Sequence, residues 1–206
     1  MDIIDISMKI EEDMIVYPEN PRPEIEKYRQ IPEDATTESK ICIGSHTGTH
    51  VDAPEHVMED RRTVDQLELE NFYGEAQVLD LTSCKDKVDR KDLEKLEITE
   101  EIILLKTGNS LEAYKEFRKD FTYLTLEGVN YLIEKDVKTV GIDYLSLVEF
   151  DGGEKARQAH RKANEHMTVI EGLDLRDVDP GNYIFSGQPI KLETDGAPLR
   201  AILIDE

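Results

Sequence analysis

A dense group of histidines in one short segment constrains this chain more than any other feature of its sequence. Three of the five histidines, His46, His50 and His56, fall between positions 46 and 56, together with Asp52. Scattered structural histidines would rarely be bunched in this way when the rest of the chain holds so few. The segment therefore predicts a local backbone that brings these side chains to a common point.

The residues between the histidines indicate how that backbone runs. If residues 49–52 are extended, His50 and Asp52 point to the same face, because side chains alternate along a strand. Gly48 permits a tight bend that turns the first histidine of the group onto that face. Pro54 has no donor N–H and should end the extended stretch, so that the third histidine returns towards the others.

Two imidazoles and one carboxylate on a common face form a ligand set suited to zinc, or to manganese or another divalent cation. The hydroxyls of Thr47 and Thr49 are available as hydrogen-bond donors around such ligands. The competing interpretation is an ordinary turn whose histidines lie on the surface or form hydrogen bonds in the core. The spacing favours a metal site over that interpretation.

The overall charge of the chain limits the kinds of partner it can bind. The 206 residues include 25 Lys plus Arg and 46 Asp plus Glu, which gives a formal net charge of −21. Nucleic acids and anionic membrane surfaces are bound through clustered basic residues, so neither is expected as a partner. A small-molecule substrate is expected instead. The length fits one domain, covering residues 1–206.

The location expected for the chain is the cytoplasm. Two cysteines, Cys42 and Cys84, are too few for a disulfide framework and indicate a reducing compartment. The first residues lack the basic region and the apolar run of a signal peptide. No stretch approaches the roughly 18 apolar residues that a membrane span needs.

The order of predicted elements favours an α/β fold with a mixed sheet or barrel-like core. Strands and loops dominate the N-terminal half, whereas strands and helices alternate in the C-terminal half, where Thr125 is the expected N-cap of a helix. The predicted strands are 2–7, 39–43, 76–81, 102–105, 137–142, 168–170, 183–185 and 201–204. The predicted helices are 126–135 and 154–166, with a short helix or turns over 63–72 and a proline-containing loop over 14–22.

The segment from His46 to His56 resembles the HxGTHxDxPxH motif of the cyclase family, which includes bacterial kynurenine formamidases (arylformamidases) and isatin hydrolases. Every fixed position of the motif is matched. Further segments are similar to the family's sequences and extend the resemblance over residues 1–206. These segments are 104–108, 140–146, 170–173 and 198–201.

The resemblance implies a swivelling β/β/α-type single domain with a mixed, barrel-like sheet core and flanking helices. It also implies two divalent metal ions per chain, with zinc as the first expectation and manganese as the alternative. The implied ligands are His46, His50 and Asp52 for the first ion, and Asp52, His160 and Glu171 for the second, with Asp52 and Glu171 bridging the two. His56 is implied to act as the general acid and base.

Two histidines compete for the second metal. The family spacing to Glu171 favours His160, and His166 is the alternative. Six residues of helix rotate by about 600°, so these two histidines cannot share one helical face. Only one of them is expected at the site, and the other would be a solvated residue near the helix end.

The sequence departs from the family at the aromatic residue that contacts the substrate. Formamidases of the family usually have a Trp in the N-terminal loop, whereas this chain contains no Trp and has Tyr17 in the corresponding stretch. Tyr17 can stack on an aromatic ring and is the expected substrate-binding residue. The other interpretation is a loop anchor without substrate contact. The change weakens the case for N-formylkynurenine itself.

The expected activity is metal-dependent hydrolysis of a small amide, foremost an aryl formamide such as N-formylkynurenine. The alternatives are a cyclic amide hydrolase similar to isatin hydrolase, a cyclase or dehydratase, and, in a different class, a non-catalytic metal-binding protein. A thiol mechanism at Cys42 is disfavoured because it needs neither Asp52 nor a second histidine. Cys42 is instead expected to be a small buried side chain on a strand. The resemblance implies a homodimer or homotetramer.

Overall fold

A mixed β-sheet flanked by helices forms the body of the chain. A computed structural model describes residues 1–112 and 116–205. The strands in these residues are β1 (Asp2–Asp5), β2 (Glu24–Arg29), β3 (Glu38–Cys42), β4 (His50–Asp52), β5 (Tyr73–Asp80), β6 (Lys87–Val88), β7 (Ile102–Lys106), β8 (Tyr123–Leu124), β9 (Thr139–Ile142), β10 (Thr168–Glu171), β11 (Gly181–Ser186), β12 (Gly196–Pro198) and β13 (Ile202–Asp205). The α-helices are α1 (Arg90–Leu93), α2 (Leu126–Glu134) and α3 (Gly153–His166), and single 3₁₀ turns lie at Pro54–His56, Val64–Gln66, Leu69–Phe72 and Ser110–Glu112.

Nine of the strands found in the described residues form one sheet, in the order β1-β13-β11-β5-β7-β9-β10-β4-β12. The central strands β5, β7, β9 and β10 are parallel to one another, and antiparallel strands complete the sheet on both sides. A hairpin of β2 and β3 and a short parallel pair of β6 and β8 form separate small sheets. Neighbouring parallel strands, such as those in the centre of the sheet, need crossover connections, which usually contain a helix.

Both faces of the central strands are buried, which accounts for the wholly apolar start of β7. Ile103 and Leu105 pack in the core beneath the helices. Ile102 and Leu104 pack on the opposite face, in the core that the terminal strands help to close. Alternate residues of one strand therefore enter two different cores, which explains why the strand reads as a continuous apolar run.

Helices α2 and α3 cover one face of the sheet through different sequence patterns. The hydroxyl of Thr125 accepts a hydrogen bond from the backbone N–H of Gly128 at 3.1 Å, so the expected N-cap is confirmed. Helix α3 is polar over most of its length, but Ala159 and Ala163 are buried in the same core as the sheet residues. These small side chains allow close approach of the helix that carries His160.

The expected α/β fold with a mixed sheet core and flanking helices is confirmed, and each predicted strand and helix is present with small differences at its ends. The sequence pattern does not indicate β2, β6, β8, β12 or α1. Strand β12 contains Pro198, which a strand tolerates at a sheet edge, and β12 lies at one edge of the nine-stranded sheet.

One prediction about burial is wrong. Cys42 is exposed at the end of β3 instead of being a buried side chain, because almost every residue of the β2–β3 hairpin is exposed to solvent. The helices in the described part of the chain are too short or too polar to cross a membrane.

Candidate metal centre

Strand β4 supplies the centre of the site. It lies between β10 and β12, and His50 pairs directly with Glu171 of β10. Directly opposed residues of an antiparallel pair project from the same face, so this imidazole and this carboxylate meet. Asp52 projects from that face as well, whereas Val51 between them enters the apolar core. The predicted common face of His50 and Asp52 is present.

The bend before β4 brings His46 next to Asp52. Gly48 has a φ of +66°, a left-handed conformation that glycine adopts without strain. The hydroxyl of Thr49 donates to the backbone oxygen of Gly172 at 2.5 Å and so ties the bend to the segment that follows β10. His46 Nδ1 consequently lies 2.8 Å from Asp52 Oδ1.

Helix α3 brings one further imidazole to the same carboxylate. His160 Nε2 lies 2.9 Å from Asp52 Oδ2 and 3.9 Å from Glu171 Oε1. His166, six residues further along the helix, has an exposed side chain, and its Nε2 lies 4.0 Å from Oε2 of the neighbouring Glu165. The helix thus delivers His160, and not His166, to the cluster.

One nitrogen of His50 shows that the cluster suits a cation. His50 Nδ1 lies 2.9 Å from the backbone oxygen of Gly48, and because a carbonyl only accepts, Nδ1 carries the proton and Nε2 keeps its lone pair. Nε2 is buried without a hydrogen-bond partner in residues 1–112 and 116–205. It faces Asp52 Oδ1 at 3.5 Å and Glu171 Oε2 at 3.6 Å. A buried lone pair beside two carboxylates is unfavourable alone and becomes favourable around a bound cation.

Two overlapping groups of side chains have the spacing of metal ligands. One group consists of His50, Asp52 and Glu171 and is buried, and the other consists of His46, Asp52 and His56 and reaches the surface. Within each group the ligand atoms lie within 4.8 Å of one another. Asp52 belongs to both groups and is therefore placed between two candidate positions. This donor set of imidazoles and carboxylates suits zinc or manganese.

The pKa values of the cluster reflect buried charges that lie close together. Burial raises the pKa of Glu171 to about 7, and the negative charge of Asp52 acts in the same direction. Burial would also raise the pKa of Asp52, but hydrogen bonds with His160 and His46 outweigh it and hold that pKa well below its usual range. Burial disfavours the charged form of His46, yet hydrogen bonds to Asp52 and Asp195 raise its pKa to about 9.

His56 stands at the outer edge of the cluster. It belongs to the 3₁₀ turn that Pro54 begins soon after β4, and its ring centroid lies 4.1 Å from that of His46. Burial lowers the pKa of His56, and the positive charges of His46 and His160 add to this effect against the opposing charge of Asp52. The surroundings of His56 thus favour its neutral form, which can accept a proton.

Sequence analysis missed Asp195. Its Oδ2 lies 2.8 Å from His46 Nε2 and 3.3 Å from His56 Nδ1. It directly precedes β12, where Gly196 begins the pairing with β4. A separation of 149 residues from His46 hides this contact from any local pattern. The one available signal is its position just before the family-like segment 198–201.

Tyr17 belongs to an aromatic cluster beside the carboxylates. Its ring centroid lies 5.3 Å from that of Phe117 and 5.7 Å from that of Phe150. Burial raises the pKa of the Tyr17 hydroxyl, and the negative charges of Glu171 and Asp151 add to the shift. The N–H of Gly172, next to Glu171, donates to the backbone oxygen of Tyr144 at 2.7 Å, and Tyr144 belongs to the same aromatic cluster as Tyr17.

A mixed α/β sheet that carries a buried cluster of imidazoles and carboxylates around an unpartnered ring nitrogen defines a metal-binding α/β protein. The model of the Cyclase family matches residues 4–147, a range that contains the whole histidine motif. This chain belongs to the Cyclase family.

Curated relatives include proteins from plants and bacteria. Cyclase-like protein 3 of Oryza sativa subsp. japonica is 36% identical over 177 residues, which cover 81% of this chain and 65% of that protein. The chain therefore spans somewhat less than two thirds of that relative's length. A kynurenine formamidase of Bacillus cytotoxicus is 33% identical over 167 residues, which cover 80% of this chain and 78% of the relative.

Solved structures share the fold over the whole chain. A structure described as a potential metal-dependent hydrolase with cyclase activity has a TM-score of 0.86 at 33% identity, covering 100% of this chain and 98% of that one. Isatin hydrolase A from Labrenzia aggregata, bound to benzyl benzoate, has a TM-score of 0.84 at 22% identity, covering 100% of this chain and 94% of that one. At that identity the second similarity concerns the fold alone.

Proposed function

We propose that this chain is a metal-dependent hydrolase that cleaves a carbon–nitrogen bond other than a peptide bond, in a small aryl formamide such as N-formylkynurenine. The observation that carries the proposal is the buried cluster of imidazoles and carboxylates, with the unpartnered Nε2 of His50 inside it and the imidazole of His56 at its edge. Similarity to kynurenine formamidases supports this choice of bond.

The cluster offers two sets of ligands for divalent ions, zinc first and manganese as the alternative. The proposed sets are His46, His50 and Asp52 for one ion, and Asp52, His160 and Glu171 for the other. When bound, the ions would supply Lewis-acid chemistry that activates water at neutral pH and polarises the substrate carbonyl. The backbone N–H of Leu147 donates to Glu171 Oε1 at 2.6 Å and fixes the orientation of that carboxylate.

His56 is the proposed general base and general acid. Its neutral imidazole accepts a proton from the attacking water and returns a proton to the substrate nitrogen as the carbon–nitrogen bond breaks. One water is consumed, and the products are the free amine and formic acid, which ionises to formate by releasing its proton to solvent. An amine leaves poorly without a proton, so the proton donor must be open to the substrate. The side chain of His56 is 31% exposed at the edge of the cluster, and this position suits that role.

Tyr17 is the proposed contact for the aromatic part of the substrate. Its neighbours Phe117 and Phe150 make the same wall apolar, which suits an aryl ring. The arrangement supports an aromatic substrate without selecting one ring system over another. A bicyclic cyclic amide of the isatin type would meet the same wall and is the second candidate substrate.

Metal analysis and substrate assays test the proposal together. We expect about two equivalents of metal per chain by elemental mass spectrometry, with hydrolysis of N-formylkynurenine. Hydrolysis of isatin in its place would identify a cyclic amide hydrolase. Bound metal without turnover of either compound would point to a cyclase, a dehydratase or a non-catalytic metal-binding protein. Protein that takes up no metal would contradict the proposal.

The role of His56 has its own test. We expect His56→Ala to retain its metal and to lose turnover by about 10²–10⁴-fold, the range typical of general acid–base catalysis. His166→Ala is the matched control, because this exposed histidine lies outside the cluster. If His56→Ala loses metal, His56 is a ligand, as one of the two ligand groups allows.

Residues 1–206 are proposed to act as one catalytic domain within a homodimer, or a homotetramer built from it. The β2–β3 hairpin supports self-association, since an isolated two-stranded hairpin is marginally stable and its apolar side chains lie open to solvent. Tyr28 is 55% exposed and Ile41 is 60% exposed. Sedimentation velocity should show a dimer or tetramer that dissociates in Tyr28→Ser/Ile41→Ser, and a monomeric wild type would contradict this assembly.

A cytoplasmic location is proposed on the basis of the cysteines. Cys42 and Cys84 are both free thiols, which fits a reducing compartment. Fractionation of cells that express the natural protein tests this, and recovery outside the cytoplasm would contradict it.

A further inference from the structure

The proposed function leaves one acidic residue of the site without a role. Asp195 Oδ2 faces two ring nitrogens, His46 Nε2 at 2.8 Å and His56 Nδ1 at 3.3 Å. A carboxylate only accepts hydrogen bonds, so each of these two nitrogens carries a proton. In the neutral imidazole of His56 the second nitrogen, Nε2, consequently has the lone pair that a general base needs.

We propose that Asp195 is a positioning residue that fixes the tautomer and the ring orientation of His56 for proton transfer. This inference rests on the proposed function, in which His56 is the general acid and base. When Nε2 of His56 takes a proton from water, a positive charge develops on the ring, and the adjacent carboxylate stabilises it. A carboxylate that holds the far nitrogen of a catalytic imidazole has this effect in other hydrolases.

The backbone holds Asp195 in place for this task. The backbone oxygen of Asp195 accepts from the N–H of Ala53 at 2.8 Å, and that of Thr194 accepts from the N–H of Val64 at 3.0 Å. Ala53 lies directly before the turn that carries His56. The same hydrogen bond that starts the pairing of β4 with β12 therefore sets the position of the Asp195 side chain relative to that turn.

Asp195 also contacts His46, so a second explanation of any effect must be separated from the first. Through His46, Asp195 would act as a hydrogen-bond partner of a metal ligand and would change metal affinity and every metal-assisted reaction. Through His56, it would slow proton transfer, most of all in reactions whose leaving group needs a proton, while metal affinity stays unchanged. The two explanations therefore predict different metal affinities as well as different results for substrates with different leaving groups.

The first experiment reads the tautomer directly and needs no turnover. Long-range ¹H–¹⁵N NMR of metal-free protein at about pH 8 distinguishes Nδ1–H from Nε2–H imidazole, and the His56→Ala spectrum assigns the signals. We expect the Nδ1–H tautomer for His56 in the wild type and a shift towards Nε2–H in Asp195→Ala. An unchanged His56 tautomer in Asp195→Ala overturns the proposal, and His166 serves as the internal reference.

The second experiment compares two formyl compounds at saturating metal. Formanilide releases an amine that needs a proton, whereas p-nitrophenyl formate releases a phenolate that does not. For Asp195→Ala we expect kcat on formanilide to fall by about 10²-fold, with KM little changed, a smaller loss on the ester and a metal affinity equal to that of wild type. A weakened metal affinity together with equal losses on both compounds would mean that Asp195 acts through His46, and would overturn the proposal.

The double variant Asp195→Ala/His56→Ala gives an independent check. If Asp195 acts through His56, the double variant is no slower on formanilide than His56→Ala alone. If the losses of activity in the two single variants multiply in the double variant, Asp195 acts independently of His56. Asp195→Asn keeps an oxygen acceptor without the charge, so it should retain part of the activity, and it replaces Asp195→Ala if the latter does not fold.

Glu193→Ala is the matched control, because Glu193 is an exposed carboxylate two residues away in the same segment. It should behave as the wild type in both experiments. Failure of the proposed function is recognised separately. In that case the wild type would hydrolyse neither formyl compound, while the NMR experiment would still report whether Asp195 sets the His56 tautomer.

Discussion

Glu171 is the residue in which the requirements of folding and of metal binding conflict most clearly. It is buried opposite His50 and close to Asp52, and burial together with the charge of Asp52 raises its pKa from 4.5 to about 7. Since the folded-state pKa lies above the unfolded-state value, the stability contributed by the protonated carboxyl is fully present below pH ~4.5. It is lost as the pH rises through about 7.

Glu171→Gln tests this conflict in metal-free protein. Gln keeps an oxygen for the N–H of Leu147 and places an amide near the lone pair of His50 Nε2, while removing the charge. We expect the variant to be more stable than the wild type by about 1–3 kcal/mol near pH 8 and to lose this advantage near pH 5. Urea unfolding at the two pH values measures the difference.

The control for this comparison is Glu165→Gln, which neutralises an exposed carboxylate on α3. It should leave the free energy of unfolding unchanged at both pH values. A Glu171→Gln variant that is less stable than wild type near pH 8 would show that the carboxylate is well accommodated in the metal-free fold.

Strand β12 shows, at the scale of elements, how the sheet edge shapes the site. Gly196 pairs with Asp52, and a Cβ at this position would lie 2.7 Å from Cε1 of His46 and 3.0 Å from the backbone oxygen of Val51. Any other residue must push away the imidazole or the neighbouring strand. The glycine therefore allows the His46 ring to lie close against the edge strand.

Gly196→Ala should consequently weaken metal binding while leaving the rest of the sheet in place. Displacement of a ligand ring or its supporting contact typically costs about 10–100-fold in metal affinity, and we expect a loss in that range by competition with a chromophoric chelator. Gly108→Ala is the matched control, because nothing lies within 4 Å of a Cβ there. An affinity equal to that of the wild type would mean that His46 has room to move.

Local sequence predicts what is encoded within β4 and its flanks, and it fails where distant elements meet. The bend at Gly48, the common face of His50 and Asp52 and the return of His56 after Pro54 all follow from residue type and spacing. The contact of Asp195 with two of the histidines depends on the pairing of β4 with an edge strand far along the chain. Pairing over that distance leaves no periodic signal, so the residue is visible only in the structure.

At the scale of the whole molecule, the net charge of −21 favours the binding of cations over anions. Asp52 and Glu171 are buried acidic residues, and they lie beside a ring nitrogen that has no hydrogen-bond partner in the described residues. A ligand that binds the folded state only stabilises it by mass action. The metal-loaded chain should therefore be markedly more stable than the chelated one.

We expect saturating zinc or manganese to raise the melting temperature of chelated protein by about 5–10 °C. This corresponds to a ligand at about 100 times its Kd acting on a chain of this size. Circular dichroism melting measures the shift, and Asp52→Asn, which removes the carboxylate shared by both ligand groups, should abolish it. A wild-type melting temperature that is insensitive to metal would show that the cluster binds no ion.

The binding of metal and the protonation of its ligands compete, and this competition sets the sign of the pH dependence of metal uptake. In metal-free protein near pH 6 both His46 and Glu171 hold protons, since their pKa values are raised to about 9 and about 7. A metal ion displaces those protons, so affinity must fall as the pH is lowered from 9 to 6. Calorimetric titration in buffers of different ionisation enthalpy counts the protons released. Binding that strengthens towards pH 6 would contradict the assignment of His46 and Glu171 as ligands.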